Sequence, residues 1–234
     1  MKAALITGGV NRIGKAIGLF LAEKGYHIAI HYKRSDPSDL VEEIEKIGAK
    51  AVPFQADLNI ESEVEKLIPE VEKCFPQLEL LVNNASLFES GNLSVIDTIR
   101  LNRYMDVNFK APFILSRDFF NIFNKGNIIN MVDAKVTHHQ HRFSTYLLTK
   151  KILMEYTYMA AVEFAPLVRI NAIAPGAILP PPGENDSYLK KRAMESALKK
   201  TGSTKDITQA VDFLIKNTFV TGQCIFIDGG IHLI

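Results

Sequence analysis

Short apolar runs rich in β-branched residues alternate with amphipathic stretches along almost the whole chain. KAALIT, HIAIHY, KAVPFQA, LELLVNN, GNIINMV, RINAIA and CIFID read as strands. Between them, residues 13–24, 37–48, 61–74, 97–121, 144–165 and 204–217 repeat apolar side chains at three- and four-residue steps, the spacing of a helix face. Such alternation implies parallel strands joined by helical crossovers: an α/β fold with a doubly wound, seven-stranded parallel sheet flanked by helices. Local punctuation agrees. Asp36 before Pro37 suits an N-cap followed by a first helical residue, and Gly25 and Gly48 fall where helices should stop.

One interval breaks the rhythm. PGAILPPPGENDSYLKKRAMESALKKTG separates the sixth and seventh strands with three consecutive prolines and then a charged helical stretch. Residues 177–202 therefore read either as a lid over a site or as a plain surface excursion.

Composition limits the rest. The 234 residues, 47% of them hydrophobic, are enough for a substantial core, and no polar linker divides them, so one domain over 1–234 is expected. Lys and Arg total 27 against 26 Asp and Glu, a balance that gives no footing to nucleic acid or an anionic membrane and favours a small-molecule partner. The two cysteines, Cys74 and Cys224, have neither metal-ligand spacing nor the density of a disulfide framework, so packing roles in a reducing compartment are expected. The N-terminal apolar run is too short for a signal peptide, and no stretch approaches the roughly 18 apolar residues of a membrane span. A cytoplasmic protein is the expectation.

The first candidate chemistry is TGGVNRIG, residues 7–14, between the first strand and the first helix. A glycine-rich turn there brings backbone N–H groups and the positive end of a helix dipole to a pyrophosphate, and Gly8 and Gly14 allow the close approach. Arg12 stands where a glycine might be expected. The second strand ends in HYKRS, residues 31–35, where an NAD site usually presents a carboxylate to the ribose. Lys33 and Arg34 offer positive charge instead, and a guanidinium can fork onto a ribose 2′-phosphate while Ser35 adds a hydrogen bond. This favours NADP(H) over NAD; the alternative is an exposed basic turn.

Further on, NNAS at 83–86 closes the fourth strand, Asn108 lies in a long helix, Tyr146 precedes Lys150 by four, and a Pro-Gly pair falls at 175–176. With TGGVNRIG, these ordered motifs resemble the short-chain dehydrogenase/reductase family, of Rossmann-type fold, over nearly the full chain. Arg12, the HY-x-RS ending from His31 to Ser35, NNAS with Phe88 shortly after, and Asp133 in place of the family's usual catalytic serine are similar to the pteridine reductase branch, which includes bacterial dihydromonapterin and dihydrofolate reductases. The resemblance implies cofactor contacts from Gly8, Asn11, Arg12, Ile13, Gly14, Tyr32, Arg34, Ser35, Asp57, Leu58, Asn84, Ala85, Ser86, Tyr146, Lys150, Pro175, Gly176 and Ile178. It implies substrate contacts from Arg12, Ser86, Phe88, Asp133 and Tyr146, with Phe88 stacked on a pterin ring. Asp133, Tyr146, Lys150 and Asn108 would form the catalytic set, Asn108 linking Lys150 to solvent. A homotetramer is implied as well.

The residues carry part of this chemistry themselves. Tyr146 and Lys150 share a helix face, and a nearby ammonium favours the phenolate, which would bring the phenol closer to service as an acid near neutrality. Such a pair also occurs on ordinary helices. Asp133, just past the fifth strand, sits at the edge where open α/β sheets bind ligands, and a carboxylate there can accept two hydrogen bonds from the amino-imine edge of a pterin or folate. It could equally cap a loop amide. THHQH at 137–141 lacks helical zinc spacing and has no distant Cys or His cluster to complete a site, so no metal is expected. LMEYTYMAAVEF at 153–164 reads as core or subunit interface. The function expected is NADPH-dependent pteridine reduction; a carbonyl reductase of the same fold, or an NADP-binding regulator without turnover, are the alternatives.

Overall fold

The structure, a computed structural model, describes residues 2–181 and 183–234. Met1 and Pro182, the third proline of the 180–182 run, lie outside the described residues. Seven strands, β1 (Ala3–Ile6), β2 (His27–Tyr32), β3 (Ala51–Gln55), β4 (Leu78–Asn83), β5 (Gly126–Met131), β6 (Val168–Pro175) and β7 (Cys224–Ile227), form one sheet in the order β3-β2-β1-β4-β5-β6-β7. Every neighbouring pair is parallel. The chain winds outward from β1 in both directions, so the strand order reverses between β1 and β4.

Among the described residues there are eight α-helices: α1 (Arg12–Glu23), α2 (Ser38–Lys46), α3 (Glu61–Cys74), α4 (Thr98–Met105), α5 (Ala111–Phe123), α6 (Ser144–Glu163), α7 (Asp186–Ala193) and α8 (Thr204–Lys216). All four residues of β1 are buried, as a central parallel strand covered on both faces requires. Their side chains alternate between two cores. Ala4 and Ile6 join Ile17, Leu21, Leu40, Ile44, Ile207 and Val211 from α1, α2 and α8. Ala3 and Leu5 face Val64, Leu67, Leu115, Phe119 and Ala160 from α3, α5 and α6.

Three local results refine the sequence reading. The helix expected over 97–121 is interrupted: α4 passes into a π-helical turn, Asp106–Lys110, before α5. That turn carries the fully buried Asn108, and π turns of this kind mark places where a side chain displaces the regular ladder. At α2, Asp36 Oδ1 accepts from the Ser38 amide at 2.9 Å and Pro37 is already in the αR region, although regular helix starts at Ser38. Gly25 and Gly48 do end their helices, at φ +83° and +93°. The interval after β6 contains the two-turn α7, whose Tyr188 and Arg192 line the main cavity.

At the strand reversal, side chains hold the β1 and β4 ends. Thr7 Oγ1 accepts from the Asn84 and Ala85 amides at 2.9 and 3.0 Å, and Asn84 Nδ2 donates to the Thr7 and Gly8 carbonyls at 2.9 and 3.2 Å. Gly14 packs against this knot: a Cβ there would lie 2.3 Å from the Gly8 carbonyl oxygen and 2.7 Å from Asn84 Nδ2. Replacing Thr7 by Val keeps the shape but leaves the Ala85 amide without an acceptor and the Asn84 amide with only the Val82 carbonyl. Thr7→Val is expected to lower stability by about 1–3 kcal/mol in urea unfolding monitored by circular dichroism; an unchanged midpoint would show that the knot is not a stability determinant.

Candidate active site

The loops after β1 to β6 enclose a cavity of about 790 Å³ along the carboxyl edge of the sheet, the position where open α/β sheets bind ligands. Every cofactor- and substrate-contact residue expected from the sequence lines it, from Gly8, Asn11, Arg12, Ile13 and Gly14 through Tyr32, Arg34, Ser35, Asp57 and Leu58 to Asn84, Ala85, Ser86, Phe88, Asp133, Tyr146, Lys150, Pro175, Gly176 and Ile178. Asn108 does not.

At one end, the first turn lies beside the ends of β2 and β3. Arg12 adopts φ +56°, a left-handed conformation that a glycine takes at no steric cost. The arginine thus occupies a glycine-type backbone position and places an exposed guanidinium at the mouth of α1. Asn11 Nδ2 donates to Ser35 Oγ at 2.9 Å, joining the turn to the loop after β2. The two basic residues of HYKRS separate here. Lys33 pairs with Asp57 at 2.6 Å. Burial of Asp57 works to raise its pKa, but hydrogen bonds from Lys33 and Asn59 and the Lys33 charge bring it down to about 2. Lys33 is thereby neutralised, and Arg34 has no ion-pair partner among the described residues. The extra positive charge expected of an NADP site rests on Arg34, next to the Ser35 hydroxyl.

His31, buried beneath this end, is a tether. Its Nδ1 accepts from the Gly8 amide at 3.0 Å, so the ring proton resides on Nε2, which donates to the Ala56 carbonyl at 3.1 Å. Burial outweighs that carbonyl and lowers its pKa to about 4. The HYKRS motif marks the residue, but nothing in the sequence pattern distinguishes a tether from a ligand contact.

At the other end, Tyr146 and Lys150 of α6 face the close of β5. Tyr146 Oη donates to Asp133 Oδ2 at 3.0 Å, and Lys135 N donates to Asp133 Oδ1 at 2.8 Å. Asp133 therefore both caps its own turn and engages the phenol. Lys150 Nζ, buried, donates to the Met131 carbonyl at 2.8 Å. The expectation that Lys150 brings the Tyr146 pKa down is corrected. Burial and the adjacent Asp133 charge push Tyr146 well above its ordinary value, with a Ser86 hydrogen bond acting weakly the other way. The ammonium is spent on the Met131 carbonyl and lies 6.0 Å from the ring centroid. Lys150 itself is lowered to about 8 by burial, against the pull of Asp133. Burial likewise raises Asp133, against its two hydrogen-bond donors and Lys150.

Asn108 lies behind the cavity wall, in the π turn. Its Oδ1 accepts from the Leu87 amide at 2.8 Å and the Ser86 hydroxyl at 3.2 Å, while Nδ2 donates to the Leu87 carbonyl and Thr149 Oγ1. All of its capacity goes to pinning the 86–87 segment against α6, and no hydrogen bond joins it to Lys150. Phe88, two-fifths exposed, is stacked on one face by Phe143 at 4.8 Å and meets Tyr146 edge-on at 4.8 Å. Phe143, Lys135, Gln140, Leu179, Tyr188 and Arg192 also line this end; none was assigned a contact from the sequence, although Gln140 lies in THHQH and Leu179, Tyr188 and Arg192 lie in the 177–202 interval. The THHQH histidines lie elsewhere: His138 Nε2 is 2.8 Å from the Ile234 carbonyl oxygen. Among the described residues no group of three His, Cys, Asp or Glu side chains is placed to hold a metal ion.

A doubly wound sheet with a glycine turn, a free arginine at the second strand end, and a buried tyrosine-lysine pair across one cavity defines a nucleotide-dependent oxidoreductase. The chain belongs to the short-chain dehydrogenase/reductase family, with residues 9–232 matching the family model described as enoyl-(acyl carrier protein) reductase. It is 32% identical to the 3-oxoacyl-[acyl-carrier-protein] reductase FabG of Staphylococcus epidermidis, over 99% of both chains. Among solved structures it is similar to FolM alternative dihydrofolate reductase 1 from Brucella suis in complex with NADP, with a TM-score of 0.94, 34% identity, and coverage of 99% of this chain and 95% of that one. A short chain dehydrogenase from Burkholderia cenocepacia in complex with NADP gives a TM-score of 0.91 at 27% identity, covering 98% and 97% of the two chains. The cofactor is NADP(H), and the glycine turn, the unpaired Arg34 and the Lys150 pocket fit its charge and length.

The pKa directions set the pH response. Tyr146 stays protonated through the accessible range, so an alkaline decline in the rate of NADPH oxidation is expected near pH 8, where Lys150 loses its charge. That limb should persist in the residual activity of Tyr146→Phe. Its disappearance in that variant would assign it to the phenol instead.

Proposed function

We propose that this NADP-dependent reductase acts on a pteridine: dihydrobiopterin, dihydromonapterin or dihydrofolate. The observation that carries the reading is the Asp133 carboxylate beside Tyr146 where a serine hydroxyl is usual in the family. Each carboxylate oxygen accepts one protein hydrogen bond and keeps lone-pair capacity for another. Two oxygens so disposed match the paired donors of a pterin amino-imine edge, whereas a ketone has no donor to offer them. The half-exposed Phe88 gives a flat apolar platform next to the same carboxylate, suited to stacking on a fused ring.

When bound, NADPH supplies the hydride, which goes to an electrophilic ring carbon while the adjacent nitrogen takes a proton. The chain's own part is alignment and proton supply. Asp133 orients the ring by its amino-imine edge, Phe88 holds it flat, and Tyr146 keeps a phenolic proton within the site. Lys150 holds positive charge beneath the pair, and Asn108 fixes the Ser86–Leu87 segment that forms the opposite wall. Arg12 reaches toward the junction of cofactor phosphate and substrate.

Reduction of a ketone is the second reading, favoured by the likeness to a 3-oxoacyl-[acyl-carrier-protein] reductase across the full chain and by the tyrosine-lysine pair, which serves both chemistries. The test is NADPH oxidation by the purified protein against dihydrobiopterin, dihydromonapterin, dihydrofolate and a panel of β-keto esters and simple ketones. Turnover of the pterins is expected; turnover of ketones alone would overturn the reading, and nucleotide binding without turnover of any of them would point to a regulator.

Asp133→Ser should lower kcat/KM for pterins about 10- to 100-fold, the worth of a charge-assisted pair, with the Kd of NADPH, read by fluorescence titration, changed less than threefold. Equal losses in the two would count against a substrate-orienting carboxylate. A homotetramer is proposed on the exposed Met159 and Val162 of α6, 73% and 81% accessible in the single chain.

A further inference from the structure

Two cations stand at the substrate end of the cavity with no part in the chemistry above. Lys135 lies on the 3₁₀ turn, Ala134–Thr137, directly after Asp133, and Arg192 lies on α7; both line the cavity that holds Asp133 and Phe88. They sit on the β5–β6 side of the sheet, opposite the Arg34–Ser35 end near β2 and β3. Neither is therefore placed for the nucleotide's ribose phosphate.

Their partners are incomplete. Lys135 is half-buried, and its side chain makes one long contact, 3.5 Å to Gln140 Oε1. No carboxylate lies within ion-pair distance of it among the described residues. Arg192 Nη1 pairs with Glu195 and its Nε donates to Tyr188 Oη at 3.2 Å, while Nη2 has no partner among the described residues. Glu195 is thus committed to Arg192, and the rim as a whole keeps a positive charge. The two cations feel each other: burial first, and then the Arg192 charge, lower the pKa of Lys135, while the Glu195 and Asp133 charges pull the other way. Holding like charges together beside a partly desolvated cavity is unfavourable until an anion enters between them.

We propose that Lys135 and Arg192 form an anion-recognising rim that selects pterins whose side chain carries carboxylate groups over pterins with a neutral polyol side chain. The proposal rests on the pteridine reading and names the substrate class within it. Lys135 and Arg192 line the same cavity as Asp133 and Phe88, so a substituent on a ring held there shares its space with the two cations. The ammonium and the free Nη2 supply charge-assisted donors that a carboxylate satisfies and a hydroxyl satisfies only weakly. The 177–202 interval then acts in specificity through Arg192, and the residue next but one to the ring-orienting Asp133 reads the tail.

The test compares dihydrofolate, which carries a glutamate tail, with dihydrobiopterin, which is neutral there, using NADPH oxidation by the full chain. Lys135→Gln keeps the backbone amide that Asp133 accepts from. It is expected to raise KM for dihydrofolate on the order of tenfold, as loss of one charge-assisted contact would, with kcat and the KM for dihydrobiopterin changed less than twofold. Arg192→Gln should act in the same direction, and Lys135→Arg should restore most of the wild-type KM. In the wild type, KM for dihydrofolate alone should rise with added salt. Equal shifts for both pterins, no shift for either, or a wild type that reduces only the neutral pterin would overturn the rim and leave the pteridine reading standing. A wild type that reduces neither would overturn both.

Discussion

The site depends on one constraint: at the point where the strand order reverses, β1 and β4 must part enough to admit a ligand without exposing unpaired backbone. Thr7 and Asn84 meet it. The threonine hydroxyl accepts two amides from the β4 end, and the asparagine amide caps two carbonyls from the β1 end, so the strands diverge with their polar groups satisfied. Gly14 is held to a hydrogen side chain by the same knot. The first turn, the 84–88 wall and the start of α1 take their positions from it.

Beyond that knot the cavity is divided by charge. The nucleotide end carries Arg12 and Arg34, with Lys33 neutralised by Asp57. The reaction end is a buried group of three titratable side chains in which the carboxylate, not the ammonium, touches the phenol. Replacing a hydroxyl by a carboxylate at that point changes more than a hydrogen-bond partner, because it keeps the tyrosine protonated and gives the substrate an acceptor pair instead of a donor. Under the proposed pteridine reading, this acceptor pair is what a substrate with its own N–H groups would meet.

Much of this was legible in the sequence because it follows from period and punctuation. The seven strands and the helices at 61–74, 144–165 and 204–217 emerge with ends displaced by a few residues at most, since apolar spacing directly reports which faces are buried. Part of the cavity lining, from Gly8 to Gly14 and from Asn84 to Phe88 with Tyr146 and Lys150, was legible through motifs. Three things were not. The π turn at Asn108 arises from a buried amide bonding across to residues 86–87 and 149, a tertiary event that leaves no periodic trace. The direction of the Tyr146 shift depends on whether Lys150 or Asp133 is nearer the phenol oxygen, which spacing along one helix cannot decide. Lys135 and Arg192 come to line one cavity only through the tertiary placement of α7.

The tether under the first turn has a further consequence. His31 accepts an amide hydrogen from Gly8 and returns one to the Ala56 carbonyl, which is what a peptide group in an additional strand residue would do. The imidazole therefore ties the residue after β1 to the residue after β3 from the end of β2, alongside the main-chain bonds from Gly9 N to His31 O and from Ala56 N to Tyr32 O. With a pKa of about 4, it does this as a neutral spacer across the whole physiological range. The Gly8 amide, although part of a loop, is thus held by a side chain of the sheet, and the first turn is anchored to β2 as well as to β1.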